Sequence, residues 1–391
     1  MEQNPPVLGL RSMSTAMPLA PFALAPFALP DSASKGRVHP EPQHPYRGPF
    51  QRDRDRIIHS TAFRRLMNKT QVLVSQTNDH HRTRLTHTLE VVQIGRTLAR
   101  ALALNEDLTE AIALSHDLGH PPFGHAGESA LADCMKEHGG YEHNRHALRI
   151  VEDLEYRYPA FPGLNLTWEV REAMAQHSKA PTPQMADYLK AGKPFLEAQL
   201  ADEVDSLAYD AHDVDDALDQ GIITPAEVEE VPLCRMVIEE ARKRFGKIPE
   251  EAFSSTLVRA LVDIQVNDLL SQTRQNLAEA KIESLEQVRA HPTLLVQPSK
   301  RMEKLKGELE SFLKANVYLN PRVLRMMNKG QRIVRRLFAE FVANPKLLAK
   351  RYQNRIQTYG LHRVVCDYIA GMTDRFAQTE SQQLFEPFHP V

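Results

Sequence analysis

The stretch His116-Asp117-Leu118-Gly119-His120-Pro121-Pro122-Phe123-Gly124-His125-Ala126-Gly127-Glu128 lies where a helical pattern stops. Upstream, Ala111, Leu114 and Leu118 continue one apolar face, and Asp107 followed by Glu110 predicts a capping box that opens the helix. Gly119 and then Pro121 close it. His116 and Asp117 therefore fall in its last turn. Neighbours on a helix point about 100° apart, so both side chains reach one ion only at a terminal turn of this kind. Imidazole beside carboxylate suits a borderline or hard divalent ion that keeps open positions for water.

Working outward, Arg84-Leu85-Thr86-His87 opens the preceding amphipathic segment. Leu85, Leu89 and Val92, with the offset set Val91, Gly95, Leu98 and Leu102, recur there at helical spacing. Two antiparallel helices joined by a short turn would bring His87 beside His116 and Asp117. The chain has 17 histidines in 391 residues. Nine of them (His80, His81, His87, His116, His120, His125, His138, His143 and His146) fall between positions 80 and 146, where an even spread would place about three. A lone histidine is more often a core or surface residue, but a group of nine favours a metal or phosphate site.

Further along, Glu203–Gln220 reads as a helix whose buried side is Val204, Leu207, Ala211, Val214 and Leu218. Asp205, Tyr209, His212, Asp213 and Asp216 line the other side. That side is either a solvated acidic face or the source of a further carboxylate ligand. Helical patterns recur over 249–276, 300–315, 321–342 and 360–378, and Thr70–Ser75 is the one short strand candidate. The spacing predicts an all-α protein. The Gly and Pro residues between 221 and 250 predict a junction between a first helical body and a C-terminal one.

Composition bounds the function. With 42% hydrophobic and 25% charged residues the chain has enough apolar sequence for one large or two ordinary domains, which excludes a wholly disordered protein. A net charge of -2 excludes a broadly basic nucleic-acid binder. Cys134, Cys234 and Cys366 lie too far apart for a C-x-x-C site, which points to a reducing cytoplasm. No apolar run has membrane-spanning length. Ten of the 26 prolines fall in the first 50 residues, and the unit Ala-Pro-Phe-Ala-Leu occurs twice, at 20–24 and 25–29. Residues 1–48 are accordingly expected to form a disordered Pro/Ala-rich tail.

Taken together, Arg84-Leu-Thr-His87 and His116–Glu128 resemble the H…HD…D signature of the HD-domain metal phosphohydrolases. Within that superfamily the chain closely resembles the bacterial dGTPase-like deoxynucleoside-triphosphate triphosphohydrolases. The likeness runs through Pro45–His59, Phe63–Leu66, Lys69–Val72, Arg82–Glu90, Pro162–Arg171, the Asp205 helix and Asp367–Arg375. It implies an HD-type core over 49–225 and an HD-associated helical region over 226–391. It also implies a cytoplasmic enzyme that hydrolyses a dNTP, dGTP or another, to deoxynucleoside and inorganic triphosphate, with water attacking the α-phosphorus.

Carried over by residue, the resemblance implies His87, His116, Asp117 and Asp205 as ligands of one divalent ion, with Mg or Mn foremost and Fe, Co or Ni as alternatives. His125, Glu128 and His143 take catalytic roles, with His143 and His120 flanking the phosphates. Arg84 binds phosphate, Gln71 reaches the 3′-hydroxyl, and Tyr209 and Asp213 contact the deoxyribose, the tyrosine ring disfavouring a 2′-hydroxyl. Implied partners are the dNTP substrate, further copies of the chain (often hexamers in the family) and an allosteric nucleotide, with weak single-stranded nucleic-acid binding and no membrane.

The chain departs from relatives at Met67-Asn68, at His81 where a tyrosine is common, and at Ser206 where some carry lysine. A triphosphate carries about four negative charges, so the basic run Lys329, Arg332, Arg335 and Arg336 is a candidate to meet them or a solvated face. Two other readings stay open: a different HD phosphohydrolase (a nucleotidase, or a cyclic or guanosine polyphosphate hydrolase), and a dNTP-sensing or single-stranded nucleic-acid-binding regulator.

Overall fold

The computed structural model describes residues 23–71 and 82–387. Its principal helices are α1 (Pro49–Ile58), α2 (Arg84–Ala101), α3 (Glu106–Ser115), α4 (Gly124–Cys134), α5 (His143–Arg149), α6 (Trp168–His177) and α7 (Leu196–Asp219). They continue with α8 (Pro232–Phe245), α9 (Phe253–Glu279), α10 (Lys300–Leu313), α11 (Pro321–Ala343), α12 (Leu361–Ala370) and α13 (Asp374–Phe385). Among the described residues β pairing is limited to isolated bridges, one of which joins Thr70 to Thr83. Most of the Thr70–Ser75 strand candidate lies outside the described residues, as do His80 and His81. The fold is all-α. No helix among the described residues is long and apolar enough to cross a membrane.

Local chemistry sets the helix ends that matter. Thr83 and Thr86 form a reciprocal capping box at the start of α2, which places His87 in its first turn. At α3 the expected cap is corrected: the Asn105 side chain, not Asp107, accepts the Leu108 N–H at 3.1 Å. Asn105 takes the position because its Nδ2 also binds Leu29 O and Asp31, fixing the entry of the chain. Helix α3 ends at Ser115 with His116 as its C-cap, earlier than the Gly119 end expected from the sequence, so Asp117 lies in the turn that follows the helix. The fourth long pattern, 360–378, divides at Gly371–Thr373 into α12 and α13. The expected junction between 221 and 250 holds α8 and a shorter helix, Pro225–Glu229.

Three apolar clusters organise these helices. The first joins α1, α2, α3, α6 and the first half of α7. The second gathers the end of α7, α8, the start of α9 and α10. The third joins Phe123 and α4 to α11, α12 and α13. The C-terminal helices thus pack directly behind the His116–Glu128 segment.

Residues 23–48 differ from the expected tail. Ala28 and Leu29 are buried in the first cluster. Leu29 N donates to Glu197 Oε1 at 3.0 Å, and Arg37 pairs with buried Asp53. The second Ala-Pro-Phe-Ala-Leu unit turns over residues 26–28, with Ala28 N donating to Ala25 O at 3.0 Å, and delivers Ala28 and Leu29 to the core; burying one leucine contributes about 1.5–3 kcal/mol. Composition signals the prolines but not this partner surface.

Candidate active site

Gly119 brings the two halves of the histidine cluster together. A Cβ at this position would lie 1.9 Å from His143 O, so only glycine lets the turn after α3 sit against the start of α5. Packing of α2 against α3 brings His87 to His116 and Asp117, each offering one donor atom within 4.8 Å of the others. Asp205 joins from α7: its Oδ1 lies 2.9 Å from His87 Nε2 and 3.5 Å from His116 Nε2.

This donor set fits a divalent ion. His116 Nδ1 donates to Ala113 O at 2.6 Å, which leaves Nε2 as the coordinating nitrogen. His116 Nε2 and Asp117 Oδ2 are buried and face each other at 3.4 Å without a well-formed hydrogen bond, an arrangement that a shared cation would satisfy. Burial works against charge on His116, but Asp117 and Asp205 outweigh it and push the imidazole up to about 10. Burial would raise both carboxyls; Arg84, His116 and His120 hold Asp117 well below the usual range, and His116 and His87 hold Asp205 down. The pocket is organised around positive charge.

Beside it lies a second group. Glu128 Oε1 accepts from His143 Nδ1 at 2.7 Å and from His143 N at 2.9 Å, while Oε2 is 3.3 Å from His125 Nδ1. The His120 and His143 rings stack with centroids 3.8 Å apart. His120 Nδ1 is 2.9 Å from Asp117 Oδ1, so Asp117 touches both groups. Burial, Arg84 and His143 keep His120 well below its ordinary value, hence neutral. Burial opposes charge on Glu128, but hydrogen bonds from His125 and His143 hold the carboxyl well below the usual range. Arg84 donates to Asp117 Oδ1 at 2.9 Å and to Gln71 O at 3.2 Å. Gln71 Oε1 is buried and unpartnered.

The acidic side of α7 is not a solvated face: Asp210, His212 and Asp213 are buried. Tyr318 closes over it, its hydroxyl donating to Asp213 and bonding to Tyr209. Burial pushes Asp213 well above the usual carboxylate range. Tyr318 ends the π-helical turn Lys314–Tyr318, a wider turn that often marks a functional position. Sequence reasoning missed Tyr318, because nothing in its spacing ties it to α7.

It also missed the support behind His87. His87 Nδ1 lies 3.0 Å from His212 Nδ1, and His212 Nε2 is paired with Glu90. Glu90 stands three residues after His87 on one helical face, which was the available signal. Lys306 is a third omission. Its Nζ donates to Ser206 Oγ at 2.5 Å and sits 3.4 Å from Asp210, bringing a cation from α10 to the residue that follows Asp205. In the basic run, Arg335 pairs with Asp133 and Arg336 packs over Phe385, so these two are engaged away from the cluster.

The model of the HD domain matches residues 84–210, and that of the phosphohydrolase-associated domain matches 296–383. The deoxyguanosinetriphosphate triphosphohydrolase-like protein of Azoarcus sp. (strain BH72) is 48% identical over 93% of this chain and 96% of its own. The protein of the same name from Geobacter sulfurreducens is 45% identical over 98% and 99%, and that from Nitrosomonas europaea 46% over 93% and 98%. The chain belongs to the deoxyguanosinetriphosphate triphosphohydrolase-like family. It is a metal-dependent HD phosphohydrolase, and its third apolar cluster joins the two matched regions, since Phe123 and α4 belong to one and α11–α13 to the other.

Proposed function

We propose that the protein hydrolyses deoxynucleoside triphosphates, dGTP among them, to a deoxynucleoside and inorganic triphosphate. One observation carries the reading. Helix α7 presents Asp205 to His87 and His116, and one and two turns later presents Tyr209 and Asp213 beneath Tyr318. One helical turn spans about 5.4 Å, the scale that separates an α-phosphorus from the sugar linked to it. The residues proposed to handle the phosphate and those proposed to meet the sugar would then be neighbours on α7.

His87, His116, Asp117 and Asp205 would hold the divalent ion. When bound, it supplies Lewis acidity at the α-phosphoryl oxygen. Arg84, already fixed between Asp117 and Gln71 O, presents a planar fork suited to phosphate oxygens. His120 and His143 flank the phosphates as a stacked pair. Water forms its bond to the α-phosphorus while the bond to the 5′-oxygen breaks. With Nδ1 held by Glu128, His125 is left with Nε2 to deliver a proton to that departing oxygen. Asp213, whose carboxyl burial pushes up, and Gln71 offer hydrogen bonds to the sugar.

The test is turnover of all four dNTPs, singly and mixed, with Mg, Mn, Fe, Co and Ni, followed by product identification. Tripolyphosphate with deoxynucleoside is the expected result. Orthophosphate or pyrophosphate would assign the chain to another HD reaction, and tight, salt-sensitive DNA binding without turnover to a regulator.

A further inference from the structure

The groups assigned to chemistry belong to the HD core, but the turn that carries two of them is held from the C-terminal body. His120 and His125 flank Pro121-Pro122-Phe123-Gly124. Phe123 has φ 65° and Gly124 φ 55°, so a bulky residue occupies the left-handed region. Such a conformation persists only where its surroundings over-determine it.

Asp374, 9% exposed and the first residue of α13, supplies the main restraint. Its Oδ1 accepts the Phe123 N–H at 2.9 Å. Its Oδ2 accepts the Thr70 N–H at 3.1 Å and the Thr70 hydroxyl. Thr70 immediately precedes Gln71, whose carbonyl holds Arg84. Lys69, also buried, donates from Nζ to His120 O and, at 3.0 Å, to Ala370 O at the end of α12. From the opposite side the Phe123 ring lies on α11 at Gly330, where a Cβ would stand 2.8 Å from Phe123 Cβ.

We propose that Asp374 is a positioning residue: one carboxylate sets both the turn bearing His120 and His125 and the segment bearing Gln71. Both of its oxygens are used on these groups, so it acts through them and not on substrate. The phosphohydrolase-associated region is then part of the working site and not an appended body. This inference rests on the reaction proposed above.

The experiment compares the full-length protein with Asp374→Ala, Asp374→Asn and Gly330→Ala. The readouts are steady-state kinetics with dGTP, Mn²⁺ binding by calorimetry, and amide hydrogen exchange at Phe123 and Thr70. A displacement of about 1 Å in a catalytic group costs about 100-fold. Asp374→Ala is expected to lower kcat by about 10- to 100-fold with KM changed less than about threefold. Ion binding is expected to stay unchanged, and exchange protection at Phe123 and Thr70 to be lost. Asp374→Asn keeps the shape and one acceptor, so it restores part of kcat. Gly330→Ala pushes the same turn from its other face and lowers kcat while Asp374 stays intact.

Lost protection with unchanged kcat overturns the proposal, as does a loss of kcat matched by equal loss of ion binding. Full protection at Phe123 in Asp374→Ala overturns the clamp itself, a result read without any turnover. Absence of triphosphate release by the unaltered protein overturns the reaction reading instead, so the two failures are distinguishable.

Discussion

Glu128 orients two imidazoles at once, so Glu128→Gln is the most searching change at the proposed chemical step. Its Oε1 takes the His143 Nδ1 and main-chain N–H at 2.7 and 2.9 Å, and its Oε2 faces His125 Nδ1 at 3.3 Å. An amide keeps one carbonyl acceptor and turns an NH₂ toward the other imidazole. The shorter pair of bonds retains the carbonyl, so the bond to His125 is the one lost. Hydrogen bonds to a charged group contribute about 1.5–3 kcal/mol, which corresponds to about 10- to 150-fold in kcat if the orientation matters only in the transition state. Glu128 belongs with His120 and His143 to a neighbouring group of donors and not to the His87, His116 and Asp117 group, so binding of an ion at the latter stays within about twofold. The assay is release of tripolyphosphate from dGTP under saturating Mn²⁺, with ion content measured on the same preparation. A kcat within about twofold of the unaltered protein would refute the reasoning, because His125 would then need no carboxylate behind it.

Other outcomes follow from single contacts. Tyr318→Phe removes the hydroxyl from Asp213 and Tyr209, and KM for dNTPs is expected to rise about 5- to 30-fold, the equivalent of about 1–2 kcal/mol, with less change in kcat; steady-state kinetics checks it. His212→Phe cuts the Glu90–His212 support behind His87, and calorimetry should read a 10- to 100-fold loss of ion affinity, about the range for such outer partners. Leu29→Ala should cost about 2–5 kcal/mol in urea unfolding if residues 23–48 are part of the body; a change under about 0.5 kcal/mol would return them to the tail. Burial pushes the Glu197 carboxyl up to about 7, so the folded protein holds a proton there that the unfolded chain has released. Stability from this group is therefore present below the ordinary carboxylate range and declines as pH rises toward about 7. Glu197→Gln should flatten that slope, read by denaturation at pH 5 and pH 8.

The parts of this account visible in sequence share a physical basis. His116 and Asp117 were legible because a glycine and proline break follows them at the end of an apolar helical pattern, and His87 because it stands at the start of the amphipathic spacing that became α2. The nature of the Asp205 side of α7 was not legible from periodicity, since an acidic face reads alike whether water or a buried cluster covers it. Tyr318, Lys306 and the Glu90–His212 pair reach the site through long-range packing, which leaves no local pattern. The burial of Leu29 was concealed for the same reason: proline content describes the backbone of residues 23–48, whereas their anchoring depends on Glu197 and Asn105, far away in the chain. Asn105 displaced Asp107 as the cap of α3 through contacts to that same segment.

Product identification is the most direct test of the central claim. Incubated with dGTP and Mn²⁺, the protein should release deoxyguanosine and tripolyphosphate in equal amounts, and Asp205→Ala should abolish both together with ion binding. Orthophosphate or pyrophosphate as the inorganic product, or unchanged turnover in Asp205→Ala, would contradict it.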